Sequence, residues 1–383
     1  MRAIIRQNGV PVFPLGMYEF PRDESEWKAW RDAGINLIRC ANQEQLDIAH
    51  DHGVAAWVAV PMIVIDDQSE QRLIDKIEPL IGHPALAVWE APDEAIWGTI
   101  HFGPDRARRL WDEPEDRVVE VIRRRDELVK GLARGVKIIA ERDPGRPIWL
   151  NEATPSDQDT LARCLPWLDI VGFDFYPVPP SIERPLHEWG PLLDKYRRTA
   201  PRHELWAVQQ AFSWSSLPRH GEGKSPSYPD TAQARFVAWQ AIVRGATGLL
   251  WWGSSHEERP APFLADLMNA VRELNEVQPF LTAANIPSVH IAANQHLRPS
   301  VLGVSGFVRQ IEDANGMKRR MLALVNEDPW GHDVELSGLS DVGIPDPNEL
   351  RPVTPVSTCP FVRLTDNWTV SLEEYEVRIY VTP

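Results

Sequence analysis

The feature that most constrains the fold is a regular alternation of short apolar runs with amphipathic stretches between residues 13 and about 253. Parallel strands that are covered on both faces read as continuous apolar runs, with helical periodicity between them. Eight such units favour a closed barrel over an open sheet, and no G-x-G-x-x-G turn follows the first run. The predicted strands lie in Phe13–Tyr18, Asn36–Cys40, Val54–Val60, Ala85–Trp89, Pro147–Leu150, Asp169–Phe175, Leu205–Ala211 and Gly248–Trp252.

The end of the chain follows a different pattern. Helical periodicity stops near Phe280, and strand-like pieces such as Phe307–Ile311 and Met321–Val325 follow. The terminal run alternates in steps of two, which predicts an antiparallel strand with one buried face. Its apolar series is Tyr375, Val377, Ile379 and Val381, and its other series is Glu374, Glu376, Arg378 and Tyr380. We therefore expect a (β/α)8 TIM barrel over residues 1–282 and a small C-terminal antiparallel β-sandwich over residues 283–383.

Charge and cysteine usage exclude several classes of function. The formal net charge of -15 argues against a nucleic-acid or anionic-membrane partner, since both bind positive charge. The basic run Arg106–Arg109 lies among acidic residues and is interpreted as a solvated helix face. Cys40, Cys164 and Cys359 lack Cys-x-x-Cys spacing, so neither a disulfide framework nor a zinc site is predicted.

Cofactors and compartment are judged from motifs. The first strand carries no His-x-His pair, so the sequence predicts no metal, and no cofactor is expected. No signal peptide and no apolar stretch long enough to span a membrane is visible, which favours a cytoplasmic location over secretion with a leader removed.

Acidic and aromatic residues gather where the predicted strands end. Side chains from several strand ends of a barrel converge on one pocket. Cleavage of a glycosidic bond needs a proton donor and a second group that attacks the anomeric carbon or activates water, and two carboxylates can fill both roles. A carboxylate and aromatic set therefore predicts a glycoside site. Its candidates are Tyr18, Glu19, Glu90, Asp93, Glu94, Asn151, Glu152, Asp174, Tyr176, Gln209, Gln210, Trp251, Trp252, His256 and Glu257.

Glu94 is the predicted general acid. The neighbouring Asp93 charge and a Trp-lined, partly dry mouth would raise the pKa of Glu94 towards the working pH. The alternative is that the two acids only cap the following helix, since acids favour helix N-termini. A long connection carrying Trp97 separates them from the next clear helix, which argues against capping.

The other acids have competing interpretations. Asp174 shares a strand face with Gly172 and Tyr176, which favours a site role over a buried acid that bonds loop amides. Glu152 can be interpreted equally well as a residue of the site or as part of a helix-start signal. Glu257 is interpreted as a solvated loop acid.

Four segments carry a resemblance to a known superfamily. "NGVPVFPLGMYEF" resembles the first barrel strand of clan A glycoside hydrolases, and "VWEAPDEAIW" resembles their fourth strand, which ends in the acid/base Glu. "DIVGFDFYPV" and "GATGLLWWG" are similar to their sixth and eighth strands. The resemblance implies that Glu94 is the acid/base, that Trp251 or Trp252 stacks on the sugar, and that a seventh-strand Glu is the nucleophile of a retaining hydrolysis.

The chain departs from that pattern at the seventh strand. It reads "LWAVQQAF" and offers Gln209 and Gln210, and an amide cannot form the glycosyl ester. Asp174 or Glu152 could supply the second carboxylate. Alternatively, the adjacent acids resemble those of hexosaminidase- and chitinase-like barrels, in which the substrate's acetamido group attacks; Tyr176 and Gln210 would then hold it.

The leading prediction is a hydrolase of O-glycosidic bonds in an oligosaccharide, polysaccharide or other glycoside. Its alternative is a non-catalytic carbohydrate-binding barrel. The predicted catalytic residues are Glu94, Asp93 and Asp174. The predicted substrate-binding residues are Tyr18, Glu19, Trp97, Glu152, Tyr176, Gln210, Trp214, Trp251 and Trp252.

Overall fold

The computed structural model describes residues 5–7, 9–103, 106–182, 184–217, 225–257, 262–293, 302–354 and 360–382, so Cys359 lies outside the described residues. Eight parallel strands form a closed barrel in which β8 pairs with β1. Each predicted apolar run overlaps one of these strands, and the predicted TIM barrel is confirmed. The strands are β1 (Leu15–Met17), β2 (Leu37–Arg39), β3 (Ala55–Ala59), β4 (Leu86–Glu90), β5 (Ile148–Ala153), β6 (Ile170–Asp174), β7 (Glu204–Gln210) and β8 (Gly248–Trp252).

Helices cover the outside of the barrel. Their starts follow capping chemistry: the Asp23 side chain accepts the Glu26 amide, and Asp66 and Ser69 form a reciprocal capping box. None of the described helices is long and apolar enough to cross a membrane. The helices are α1 (Glu24–Ala33), α2 (Gln43–Asp51), α3 (Asp67–Ile77), α4 (Ala95–Gly98), α5 (Arg117–Arg142), α6 (Gln158–Cys164), α7 (Trp189–Thr199), α8 (Thr231–Val243), α9 (Pro262–Glu276) and α10 (Gln278–Leu281).

Three tryptophans fill the barrel interior. The ring centroids of Trp149 and Trp206 lie 5.0 Å apart, and those of Trp57 and Trp149 lie 5.6 Å apart. Glycines make room for them, because a Cβ on Gly172 would stand 2.6 Å from Trp149 Nε1 and one on Gly248 would stand 2.6 Å from Trp206 Cδ1. The barrel is therefore a packed core, and a site can form only above this aromatic layer.

The C-terminal region forms two four-stranded antiparallel sheets, as predicted. One has the order β9-β12-β15-β14 and the other the order β10-β11-β16-β13. An apolar core that includes Leu322, Leu336 and Trp368 lies between them. The strands are β9 (His290–Ala293), β10 (Val304–Glu312), β11 (Lys318–Asn326), β12 (His332–Ser337), β13 (Arg351–Pro352), β14 (Val362–Leu364), β15 (Asn367–Leu372) and β16 (Val377–Val381).

The prediction that the last strand has one exposed face was wrong. Every residue of β16 is buried, because its sheet is sandwiched between the second sheet and the barrel helices. Ile379 packs into the core shared with the barrel and Tyr380 into the core between the sheets. Arg378 is buried as well, and its guanidinium donates to Glu376 and to the Ser371 carbonyl.

A buried polar contact joins the two parts of the chain. The fully buried carboxylate of Glu327 accepts hydrogen bonds from Gln240 and pairs with Arg244, both on the α8 side. The last helix of the barrel region ends at Leu281, and the first strand of the sheets begins at His290. The exact domain boundary after residue 282 stays a prediction.

Candidate active site

The side chains at the barrel mouth are selected by strand alternation. Successive residues of a strand point to opposite faces of the sheet. A residue two or four positions after an interior tryptophan therefore also points into the barrel, at the level of its mouth. On β5, Trp149 is followed two residues later by Asn151, and on β7, Trp206 is followed by Val208 and Gln210. The mouth residues in this inward register are Tyr18, Arg39, Glu90, Asn151, Asp174, Gln210 and Trp252.

Glu94 and Asp174 meet at this mouth. Their carboxyl groups form a hydrogen bond to each other, although Glu94 follows β4 and Asp174 ends β6. Burial, followed by the Asp93 charge, raises the pKa of Glu94, which is the direction expected from the sequence. Burial and the Glu94 charge raise the pKa of Asp174 well above its ordinary value. The hydrogen bond between them lowers the pKa of Glu94 and raises that of Asp174, so the pair gives up its last proton above the usual range of a carboxylic acid.

The backbone at Glu94 is in the left-handed region, with φ 49° and ψ 37°. Such a conformation costs a non-glycine residue of order 1–3 kcal/mol and needs support from its surroundings. The Glu94 amide donates to the Asn151 carbonyl at 3.0 Å, and the Glu94 carbonyl accepts the Gly98 amide at 2.8 Å. The Glu94 side chain makes no capping bond to α4, so the helix-cap interpretation of this acid is wrong.

Glu152 provides the cap instead. Its carboxylate accepts the amides of Ile96 at 2.7 Å and Trp97 at 3.2 Å, and the Ser156 hydroxyl at 2.6 Å. Glu152 is fully buried, and burial raises its pKa to about 8. The prediction that Glu152 binds substrate was wrong, because it lies beneath α4 and has no surface open to the cleft.

Asp93 lies at the mouth beside Asn151. Its Oδ1 accepts a hydrogen bond from Asn151 Nδ2 at 2.9 Å, and solvent reaches the residue through the cleft. Desolvation by the surrounding side chains raises the pKa of Asp93. Its charge raises the pKa of Tyr18 and Tyr176, which places it near groups from the first and sixth strands.

The floor of the mouth, formed by Glu90, Arg39, Trp57 and Tyr18, contains an ion pair that was not predicted from the sequence. Glu90 is fully buried; its Oε2 lies 3.2 Å from Arg39 Nε and 3.1 Å from Trp57 Nε1. Burial raises the pKa of Glu90 to about 8, and Arg39 opposes this rise. The Tyr18 ring packs on Trp57 and is buried, so it forms part of this floor. The available signal was Arg39, the single charged residue within the "NLIRC" run.

An aromatic cluster forms one wall of the mouth. The rings of Tyr176 and Trp252 are stacked at 5.4 Å, and Trp214 donates its indole N–H to the Tyr176 carbonyl. Trp251 does not belong to this wall. It is 1% exposed and packs outside the barrel against the helices, so the prediction that it stacks on a sugar was wrong.

The two glutamines of β7 are engaged in structural contacts. Gln209 faces outward, and its amide donates to the Val237 carbonyl. Gln210 Oε1 accepts the Val178 amide at 2.9 Å, and its Nε2 donates to the carbonyls of Val178 and Phe212. Gln210 is buried, both N–H donors of its side chain are bonded to backbone carbonyls and its oxygen accepts a backbone amide, which argues against our prediction that it holds a substrate acetamido.

Two further acids fix the loops around the mouth. Glu19 accepts the Gly253 amide and the Ser254 hydroxyl, each at 2.8 Å, and thereby joins the first and eighth strand ends. Glu257 is buried and accepts the Ser213 amide and the Tyr228 hydroxyl. The interpretation of Glu257 as a solvated loop acid was therefore wrong.

The connection after α4 forms a second wall, beside Glu94. The rings of Trp97 and Trp111 lie 6.3 Å apart, and Arg109 lies over the Trp97 ring at 5.6 Å. The basic run was predicted as a helix face. The structure instead places Arg108–Arg109 in a short hairpin with His101–Phe102. Within the described ranges, no group of three His, Cys, Asp or Glu residues is arranged to hold a metal ion.

Comparison with solved structures shows that this fold is shared with glycoside hydrolases. A glycoside hydrolase family 5 protein from Bacteroides vulgatus aligns with a TM-score of 0.56 at 12% identity, over 98% of this chain and 90% of that one. A β-galactosidase from Bacillus circulans sp. alkalophilus aligns with a TM-score of 0.59 at 8% identity, over 97% and 99%.

A β-galactosidase from the psychrophilic Marinomonas ef1 aligns with a TM-score of 0.51 at 16% identity, over 68% of this chain. The chain spans 59% of the length of that enzyme. No protein-family model and no curated protein matches the chain by sequence. At these identities the likeness concerns the barrel fold alone.

Proposed function

We propose that the protein is a glycosidase that cleaves O-glycosidic bonds, with Glu94 as the general acid. The observation that carries the proposal is the hydrogen-bonded pair of Glu94 and Asp174 at the mouth of the barrel. Burial and the Asp93 charge raise the pKa of Glu94, and a general acid needs a pKa above that of an ordinary carboxyl to hold a proton for the departing glycosidic oxygen.

The position of Asp174 argues against its use as the second catalytic carboxylate. The two carboxyls of a retaining glycosidase lie about 5–5.5 Å apart, and those of an inverting one about 6.5–9.5 Å apart, to leave room for the sugar or a water. Asp174 is in direct hydrogen-bond contact with Glu94. We therefore assign Asp174 to orienting the Glu94 carboxyl.

The second catalytic role, attack on the anomeric carbon, is then performed by the substrate itself. We propose a substrate with an acetamido group beside the anomeric carbon. As Glu94 protonates the leaving oxygen and the C1–O bond breaks, the acetamido oxygen bonds to C1 and forms an oxazolinium ion. One oxygen of Asp93 accepts a hydrogen bond from Asn151, and the residue is exposed to the cleft. In the proposed reaction Asp93 accepts a hydrogen bond from the acetamido N–H and stabilises the positive charge of the oxazolinium ion.

Hydrolysis completes the cycle. Water attacks C1, the C1–O bond to the acetamido oxygen breaks, and the Glu94 carboxylate takes the proton from water. Both displacements occur at C1, so the configuration is retained. Trp252, stacked on Tyr176, is the proposed surface for the sugar ring at the cleavage point.

Turnover of matched aryl glycosides tests the proposal. Wild type should cleave p-nitrophenyl N-acetylhexosaminides and leave the corresponding 2-hydroxy glycosides intact. Glu94→Gln should lower kcat by roughly 10² or more, since it removes the general acid. Equal turnover of both substrate classes would refute the acetamido step.

A non-catalytic carbohydrate-binding barrel is the second candidate. It is favoured by Gln210, whose amide replaces the expected nucleophile and is bonded to the backbone. This candidate predicts glycan binding by calorimetry without turnover of any glycoside, and affinity that is unchanged in Glu94→Gln.

A further inference from the structure

Two arginines stand beside the proposed general acid in a strongly acidic protein. The chain has a formal net charge of -15, and the mouth itself carries Glu90, Asp93, Glu94 and Asp174. Arg106 and Arg109 nevertheless lie on the wall next to Glu94, where their charges oppose the rise of its pKa. This local reversal of charge is a feature that hydrolysis of a neutral sugar does not require.

The geometry ties both arginines to the segment that begins at Glu94. Arg106 Nη1 lies 3.4 Å from the position that a Cβ on Gly98 would take, so it packs against the end of α4. The Arg109 guanidinium covers the Trp97 ring and donates to the Arg106 carbonyl at 3.0 Å. The short hairpin thus holds two guanidinium groups and an indole on one side of the acid.

These guanidinium groups differ from that of Arg108 in the same hairpin. Arg108 pairs with Glu113 at 3.0 Å. Within the described part of the chain, neither Arg106 nor Arg109 forms an ion pair with a carboxylate, and Arg106 is exposed. Trp111 is 68% exposed beside them, although an indole of this size usually covers apolar surface.

We propose that Arg106, Arg109, Trp97 and Trp111 form a subsite for an anionic sugar on the leaving-group side of the cleaved bond. The inference rests on the proposed function, because the general acid touches the glycosidic oxygen and its flanking wall therefore meets the leaving group. The indoles stack on the sugar ring, and the guanidinium groups bind its anionic substituent. The acids of the floor would repel such a substituent, which restricts it to this wall.

Carboxylate and sulfate share the chemistry that arginine recognises, since both present oxygens to the donor fork of a guanidinium. The test therefore includes both. The probes are an array of matched oligosaccharides in neutral, uronate and 6-sulfated forms, followed by calorimetry on the tightest matched pair. Glu94→Gln is the background throughout, so that no probe is consumed.

The expected result is tighter binding of the uronate or sulfated form than of its neutral match, with a preference that weakens as salt rises. Arg106→Gln with Arg109→Gln should reduce affinity for the anionic form about tenfold or more and leave the neutral form unchanged. Arg108→Gln is the matched control and should preserve the preference. The double Lys variant should restore part of it, because it keeps the charge.

Several outcomes would overturn the subsite: no anionic binder on the array, equal affinity for neutral and anionic forms, or an equal loss of both in the double Gln variant. Failure of the proposed function looks different. Wild type would then cleave no glycoside, while the arginine-dependent preference for anionic glycans persisted. Cleavage of neutral acetamido glycosides without any anionic preference would remove the subsite and leave the function standing.

Discussion

Replacement of Glu152 by Gln tests whether a buried carboxyl supports the backbone that carries Glu94. Glu152 Oε2 accepts two donors, the Trp97 amide at 3.2 Å and the Ser156 hydroxyl at 2.6 Å, and Oε1 accepts the Ile96 amide. In Glu152→Gln one oxygen becomes an NH2 group. The Ser156 hydroxyl can rotate and accept from it, but the Trp97 N–H cannot, so one buried amide loses its partner.

The expected cost is about 2 kcal/mol of unfolding free energy, since an unpaired buried donor costs roughly 1–3 kcal/mol. Urea unfolding followed by circular dichroism measures it. Hydrogen exchange should also accelerate in a peptide that spans residues 93–100, because α4 opens locally.

Glu257→Gln is the matched control. Glu257 is also buried, but its two donors are the Ser213 amide on Oε1 and a Tyr228 hydroxyl, which can rotate, on Oε2. The amide variant can therefore satisfy both partners, and we expect a loss below about 1 kcal/mol. Equal losses in the two variants, or unchanged exchange over residues 93–100 in Glu152→Gln, would refute the reasoning.

Three further predictions concern the mouth and the barrel interior. Asp174→Asn should move the alkaline limb of the kcat/KM profile to lower pH, because the native pair resists loss of its shared proton; an unmoved limb would count against a shared proton. Glu90 and Glu152 have folded pKa values of about 8 against 4.5 ordinarily, so the folded state keeps protons that the unfolded chain releases, and unfolding free energy should fall between about pH 4.5 and 8. Each group contributes a slope of up to roughly 1.4 kcal/mol per pH unit, and urea unfolding at several pH values should show a smaller slope in Glu90→Gln than in wild type. Gly172→Ala should cost about 1–3 kcal/mol, since its Cβ would stand 2.6 Å from Trp149 Nε1; an unchanged melting temperature would contradict this packing.

The barrel was predictable because burial on both faces gives each strand a continuous apolar run. The same property hides which face a residue occupies, since a continuous run carries no alternation to read. Trp251 and Trp252 are adjacent and identical in type, yet one packs against helices and the other stacks on Tyr176. The polar neighbours Gln209 and Gln210 divide in the same way. The last strand of the sandwich misled in the opposite way: it alternates, but Arg378 is buried because Glu376 and the Ser371 carbonyl accept its guanidinium.

The roles of the acids depend on partners that sequence distance conceals. The sequence suited Glu152 to a site role or to a helix-start signal equally, but its donors include the Ile96 and Trp97 amides of another connection. Arg39 follows an ordinary apolar run, and only the strand register shows that it reaches Glu90. Such contacts are set by how eight strands close into a ring.

The contact between Glu94 and Asp174 has the largest consequence for mechanism. The sequence allowed Asp174 to act as the second carboxylate of either a retaining or an inverting reaction, and these roles differ by a few ångströms in its distance from Glu94. Hydrogen-bond contact leaves no space for an anomeric carbon between the two carboxyls. Since Gln210 is bonded to the backbone and Glu152 and Glu257 are buried under loops, the acid that keeps an open face to the cleft beside this pair is Asp93. An acid that can orient a substrate group, next to one that can protonate, is the arrangement that a substrate-assisted reaction needs.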